Sequence, residues 1–198
     1  MSVDPTIEAY DHGLPDAPTD LDLPRERERF CAMLPHRGRV LDLGAGSGWA
    51  ARRMRADGFR AIALDRSPGR VSRAQDGSAP PFVLADARAL PFVSESFDGV
   101  WACASLLHIP KAAMPAVLSA VRRLLPPEGA LFVSMKEGGG EAWQGDARNG
   151  RRFFAYYGCE ELESLLTAAG FRCVDGWISP APARDPSHRW LSRFAVAE

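Results

Sequence analysis

The 198-residue chain has no Cys-x-x-Cys pair, no long apolar run and almost no net charge. Its cysteines, Cys31, Cys103, Cys159 and Cys173, stand far apart. That argues against a disulfide framework or a zinc site and predicts a reducing, cytoplasmic compartment. No apolar stretch approaches the roughly 20 residues that cross a bilayer, and the N-terminus lacks a basic-then-apolar pattern, so no membrane partner is expected. A net charge of −1 supplies no global field to draw nucleic acid. Internal repeats, sustained heptads and an acidic cluster for a metal ion are also missing. What remains is 46% apolar residues, in a length suited to one domain with a sizeable core.

The most informative stretch runs from Arg39 to Ala51. Val40-Leu41-Asp42-Leu43 reads as a buried strand, Gly44-Ala45-Gly46-Ser47-Gly48 as a turn, and Trp49 to Asp57 as a helix. Strand, glycine turn and helix together offer backbone N–H groups and the positive end of a helix dipole to a small polar ligand. A dinucleotide fingerprint would place its third small residue at position 49, where Trp49 stands instead. Phe59 to Asp65 is a second strand with a carboxylate at its end. An acidic residue about 20 positions beyond the first glycine suits ribose hydroxyls. Phe82 to Ala85 is a third strand, followed by Asp86-Ala87, Leu90-Pro91-Phe92 and Ser96-Phe97-Asp98.

Asp42-x-Gly44-x-Gly46-x-Gly48, with Asp65, Asp86 and the Leu-Pro-Phe segment, resembles the class I S-adenosylmethionine (SAM) dependent methyltransferases, of the small-molecule type. The likeness runs from about Val40 to the C-terminus and is closest in the first half. It implies an α/β fold: a doubly wound, mostly parallel seven-stranded sheet in the order 3-2-1-4-5-7-6, with strand seven antiparallel. It implies SAM as cofactor, held by Asp42, Gly44, Ala45 and Gly46. Asp65 and Arg66 would stand at the ribose, Asp86 and the backbone of Ala87 at adenine, and Leu64, Ala87 and Leu106 around the ring. Cys103 and Ala104, which end the fourth strand, and Ser105 would lie near the methionine part. Tyr10 is a candidate for closing an N-terminal arm over the cofactor. The competing readings are a plain surface anchor for Tyr10 and inert packing for Cys103.

One domain covering 1–198 is expected, with residues 1–22 a loose arm and 136–157 a possible lid. Asp22 is placed to cap a helix that has Pro24 in its first turn. His108 follows the fourth strand, and its ordinary pKa suits proton removal; the alternative is that it orients a loop. Lys111 to Leu125 carries apolar residues at helical spacing. The three glycines Gly138 to Gly140 lead towards Arg151-Arg-Phe-Phe-Ala-Tyr-Tyr157, an aromatic, basic segment. Lys136, Arg152, Tyr156 and Tyr157 are the candidate substrate residues, against the alternative of a solvated edge segment. The expected activity is transfer of a SAM methyl group to a thiol, amine, hydroxyl or carboxylate of a small molecule. A non-catalytic SAM-binding module and an NAD-linked oxidoreductase are the alternatives; Trp49 and Asp86 speak against the latter. The Asn/Asp-Pro-Pro-Tyr/Phe motif of amino-directed nucleic-acid methyltransferases is absent after the fourth strand, where Ala104-Ser-Leu-Leu stands.

Overall fold

The computed structural model describes residues 4–11, 23–74, 80–145, 150–180 and 187–198. In chain order its helices are α1 (Pro5–Asp11), α2 (Pro24–Cys31), α3 (Trp49–Ala56), α4 (Pro68–Ala74), α5 (Met114–Arg123) and α6 (Cys159–Ala168). Its strands are β1 (Arg39–Leu43), β2 (Arg60–Asp65), β3 (Phe82–Leu84), β4 (Gly99–Cys103), β5 (Ala130–Lys136), β6 (Glu141–Gln144), β7 (Arg152–Ala155), β8 (Phe171–Ser179) and β9 (Trp190–Ala197). Seven of these strands form one sheet in the order β3-β2-β1-β4-β5-β9-β8, while β6 and β7 make a separate hairpin. β1 to β5 pair in parallel and β9 runs antiparallel between β5 and β8. Counted along the large sheet alone, this is the expected doubly wound order.

The central strands are buried on both faces, as parallel strands flanked by helices must be. Every residue of β5 is buried, and β1 is buried from Val40 to Leu43. Side-chain alternation splits the interior into two layers. On one face Leu41, Leu43, Val100, Leu131 and Val133 meet Val117, Leu118 and Val121 of α5 and Leu162 and Leu166 of α6. On the other, Trp101 and Phe132 lie beneath α2 and α3. Aromatic contacts continue across this second face: Phe30 to Trp101 at 5.4 Å between centroids, Trp101 to Phe132 at 4.0 Å, Phe132 to Phe194 and Phe194 to Trp177 each at 4.9 Å. Such pairs contribute about 0.5–1.5 kcal/mol each beyond area burial.

Two expectations change, and a third falls on a residue that is not described. The N-terminal arm is not loose where it is described: residues 5–11 form α1. Asp4 receives the backbone N–H of Thr6 at 2.8 Å and Pro5 occupies the first helical position, a start signal already legible in Asp4-Pro5. The proposed cap Asp22 lies outside the described residues, and among those described no side chain caps α2. The span 136–157 is not a glycine-softened loop over its described length. Lys136 ends β5, and the glycines lead into the hairpin, held by Gly138 N–H to the Tyr157 carbonyl and Tyr156 N–H to the Gly140 carbonyl.

Candidate functional site

β1 pairs with β2 on one side and β4 on the other, so the chain leaves their carboxyl ends in opposite directions. Open α/β sheets bind ligands at that point. Here it opens into a cavity of about 590 Å³. The glycine turn forms one wall, the loop after β4 another, the end of β5 with the β6–β7 hairpin a third, and α1 a roof.

Backbone conformation explains two of the glycines. Gly44 has φ +75°, and a Cβ there would stand 2.2 Å from the Cβ of Ser105, so the turn and the loop after β4 touch only because position 44 has no side chain. Gly46 has φ +56°, and a Cβ there would meet no protein atom within 4 Å. It would project into open space beside the cavity. The Gly46 N–H donates to Asp65 Oδ2 at 2.8 Å, and Ser67 N–H donates to Asp65 Oδ1 at 2.9 Å. Asp65 thus lies against the turn with lone pairs left to receive further donors. Burial raises its pKa despite these bonds. Asp42, 3% exposed, accepts the Ala51 N–H at 3.0 Å, which ties β1 to the first turn of α3. Desolvation, together with nearby Asp65, pushes its pKa up to about 7.

His108 sits in a 3-10 turn after β4 with both ring nitrogens engaged. Nδ1 lies 2.6 Å from the carbonyl oxygen of Phe153, which can only accept, so Nδ1 carries the proton. Nε2 is therefore the bare nitrogen and receives the Tyr10 hydroxyl at 2.7 Å. Desolvation brings the His108 pKa down to about 4, aided by Arg152, Lys136 and Arg66. The ring is neutral at physiological pH and its lone pair is occupied. Through these two bonds the ring links α1 to the β6–β7 hairpin.

That bond is one of several that fix α1. Asp11 Oδ1 accepts from the Ser67 hydroxyl and from the Gly69 N–H, at the start of α4. Arg73 donates to the carbonyls of Tyr10 and Asp11. On the other side, the Phe153 N–H donates to Thr6 Oγ1 at 3.0 Å, and Arg66 pairs with Asp4 at 2.8 Å. The guanidinium of Arg70 lies 5.3 Å from the Tyr10 ring centroid and that of Arg152 5.8 Å from it.

Most sequence candidates meet at this cavity. Tyr10, Asp42, Gly44, Ala45, Gly46, Asp65, Arg66, Ala87, Cys103, Ala104, His108, Lys136 and Arg152 line it, as do Leu64, Ser105 and Leu106. Three candidates do not. Asp86 stands off the wall: Arg88 holds both its oxygens, at 3.0 and 2.6 Å, and Arg66 approaches at 3.4 Å. These cations and hydrogen bonds hold its carboxyl below the usual range against the opposing effect of burial. Tyr157 is fully buried in the core behind the hairpin, and Tyr156 stacks on His188 at 4.8 Å. Alternation explains Tyr157, since Arg152 and Phe154 line the cavity; Tyr156 has their parity, and its ring lies beside that of Phe154 at 6.3 Å. Thr6, Ile7, Arg70, Gln144, Phe154 and Trp190 line it as well and were not among the candidates. Thr6 and Ile7 were findable from the Asp4-Pro5 helix start. Trp190 arrives through β9 and carries no local signal. Among the described residues no His, Cys, Asp and Glu group could hold a metal ion, and no helix is long and apolar enough to cross a membrane.

Comparison with known proteins adds to this geometry. Residues 40–129 match a family model described as a methyltransferase domain. The malonyl-[acyl-carrier protein] O-methyltransferase of Erwinia pyrifoliae is 34% identical over 143 residues, 67% of this chain and 54% of that protein. The chain therefore spans about half the length of that relative. The 1,6-didemethyltoxoflavin-N1-methyltransferase of Burkholderia thailandensis, solved with its substrate and S-adenosylhomocysteine, is 28% identical, covers 87% of this chain and 76% of that one, and superposes with a TM-score of 0.71. A SAM-dependent methyltransferase from Methanosarcina mazei, at 18% identity and TM-score 0.76, covers 85% of this chain and 96% of that one and shares the fold.

Proposed function

The chain belongs to the class I SAM-dependent methyltransferases, and from that premise we propose that it transfers the methyl group of SAM to a small-molecule acceptor. The observation that carries the reading is the wall at the carboxyl end of β1: a Gly46 without a Cβ facing open space, beside a carboxylate already oriented by that residue's own N–H. The residues fit the cofactor. Asp65 is oriented to accept from two ribose hydroxyls, each such charge-assisted bond contributing about 1.5–3 kcal/mol. Leu64, Ala87 and Leu106 offer apolar surface for a flat base, and the Ala87 backbone remains the proposed adenine contact. Asp86 could contribute only by exchanging Arg88 for the adenine amine. Ser105 Oγ is buried without a hydrogen-bond partner and supports a polar ligand atom beside the glycine turn.

When bound, SAM supplies the activated methyl on its sulfonium. The protein's part is alignment and exclusion of water. α1 roofs the cavity and the hairpin closes its side, so an acceptor would react in a site largely screened from bulk solvent. His108, proton on Nδ1 and lone pair given to Tyr10, holds the roof to the hairpin. We assign it a positioning role, with proton removal left to the acceptor's own ionisation or to solvent.

The test is calorimetric titration of the purified chain with SAM, S-adenosylhomocysteine and NAD, followed by methyl transfer from isotopically labelled SAM to a panel of small thiols, amines, phenols and carboxylates. Micromolar SAM binding with transfer to at least one class is expected. Affinity for NAD and none for SAM would reject the reading; SAM binding with no transfer to any class would leave a binding module.

A further inference from the structure

Trp190 opens β9, the strand of the cavity wall farthest along the sheet from the glycine turn. Its backbone is paired on both sides, with Lys136 of β5 and Ser179 of β8, so the sheet fixes where the side chain starts. Counted through β4 and β5 at about 4.8 Å per strand, β9 stands roughly 14 Å from β1. The cofactor candidates on the sheet stand at the ends of β1 to β4. Trp190 therefore belongs to the part of the cavity left to the acceptor. Its indole Nε1 is closed to solvent and finds no hydrogen-bond partner among the described residues. Lys136 Nζ lies over the ring, 6.0 Å from its centroid, a contact with the π face that leaves the N–H unsatisfied. Buried indoles place this donor on an acceptor, because giving up water without a replacement is unfavourable. Trp177 of β8 does so: its Nε1 donates to Glu26 Oε1 at 2.7 Å. Of these two indoles, only Trp190 lines the cavity. The same Lys136 Nζ lies 4.3 Å from the centroid of Phe154, which brings both rings into one corner. Ile7, Leu107 and Ile109 add apolar surface to the cavity.

We propose that Trp190 determines specificity: its indole N–H donates to a carbonyl oxygen of the methyl acceptor, whose apolar part lies against Phe154. This rests on the methyltransferase reading and narrows it to carbonyl-bearing acceptors. Because Nε1 is closed to solvent, the ring turns slightly to meet the oxygen, which a side chain only partly buried can do. Donation withdraws electron density from that oxygen, so the methyl goes to another atom of the molecule. Where that atom is conjugated with the carbonyl, the same donor favours loss of its proton to solvent. That suits a site whose histidine has given its lone pair to Tyr10.

The experiment uses the full chain, with isotopically labelled tryptophan, saturated with S-adenosylhomocysteine. Acetophenone and ethylbenzene, which differ in the carbonyl oxygen, are titrated into wild type and Trp190→Phe and followed by NMR. In wild type, acetophenone should move the Trp190 indole proton downfield, and ethylbenzene should not. Acetophenone should also bind about fivefold more tightly than ethylbenzene. Trp190→Phe keeps an aromatic ring without the donor and should bind the two equally. Its affinity for S-adenosylhomocysteine should stay within about threefold of wild type. An indole signal unmoved by bound acetophenone would overturn the proposal, and this readout needs only wild type, so it stands if the variant misfolds. Absence of acetophenone binding up to its solubility limit would overturn it too, as would a folded Trp190→Phe that keeps the preference. A folded variant that loses S-adenosylhomocysteine would show that the indole serves the cofactor instead. Wild type that fails to bind S-adenosylhomocysteine at all would reject the methyltransferase reading itself, and this is measured first.

Discussion

At the scale of single residues, the glycine turn separates folding from binding. Gly44→Ala puts a Cβ into Ser105 and also strains a positive φ. It should lower stability by about 2–4 kcal/mol, seen in urea unfolding. Gly46→Ala meets no protein atom, so only the strain of its φ remains, about 1–2 kcal/mol. Its larger effect should be on SAM affinity, at least about tenfold weaker by calorimetry, because the new methyl occupies ligand space. Equal stability losses in the two variants, with affinity unchanged in Gly46→Ala, would place the ligand elsewhere. Asp65→Ala should weaken SAM by about ten- to a hundredfold through lost ribose bonds. An unchanged dissociation constant in a folded variant would remove Asp65 from the site. His108 carries a pH signature. Its folded pKa of about 4 lies below the ordinary 6.5, so the unfolded chain binds more protons in between. The stability it contributes is present above the upper value and lost as pH falls towards the lower one. Asp42 works in the opposite sense: its pKa, raised from 3.8 to about 7, favours the native state at low pH and loses that contribution as pH rises. His108→Gln removes only the first. The stability gap between wild type and this variant should therefore narrow by about 1–2 kcal/mol on acidification across the His108 window; the ring is partly open to the cavity, so the full shift is not counted. A constant gap across that window would mean the ring is not held neutral.

At the scale of elements, α1 is a seven-residue helix too short to persist alone. Its order comes from what it touches: Asp11 at the start of α4, Asp4 on Arg66, Thr6 on the hairpin and Tyr10 on His108. The roof should therefore be separable from the domain beneath it. Asp11→Ala should raise hydrogen exchange in α1 and α4 about tenfold or more while leaving β1, β4 and β5 protected. Dissociation of S-adenosylhomocysteine should quicken in the same variant. Exchange that rises equally across the sheet would mean that α1 is an integral part of the fold instead of a cover. Sequence reading of this element stopped at an arm with a candidate tyrosine. The helix start in Asp4-Pro5 was legible; the partners that hold it were not, since they lie more than 50 residues away in the chain.

At the scale of the whole molecule, ligand binding and stability are linked. S-adenosylhomocysteine at about 100 times its dissociation constant should add about 2.7 kcal/mol, which for this length is a rise in Tm of about 5–10 °C. NAD at the same concentration should leave Tm where it was, and the reverse pattern would undo the cofactor assignment. The parallel sheet was legible because short apolar strands alternated with helical segments and glycine turns; its strand order came from the family resemblance. The glycine turn and Asp65 were legible because both belong to one β-turn-α-β unit, where spacing along the chain fixes spacing in space. By itself, then, the sequence determined the layered fold and the glycine-turn side of the cavity. Only the tertiary structure decided that Asp86 turns to Arg88, that Tyr156 and Tyr157 face the core, that His108 gives its lone pair to Tyr10, and that Trp190 joins Lys136 and Arg152 on one wall. Those outcomes depend on which distant side chain reaches a polar or charged group first, and no periodicity along the chain encodes that competition.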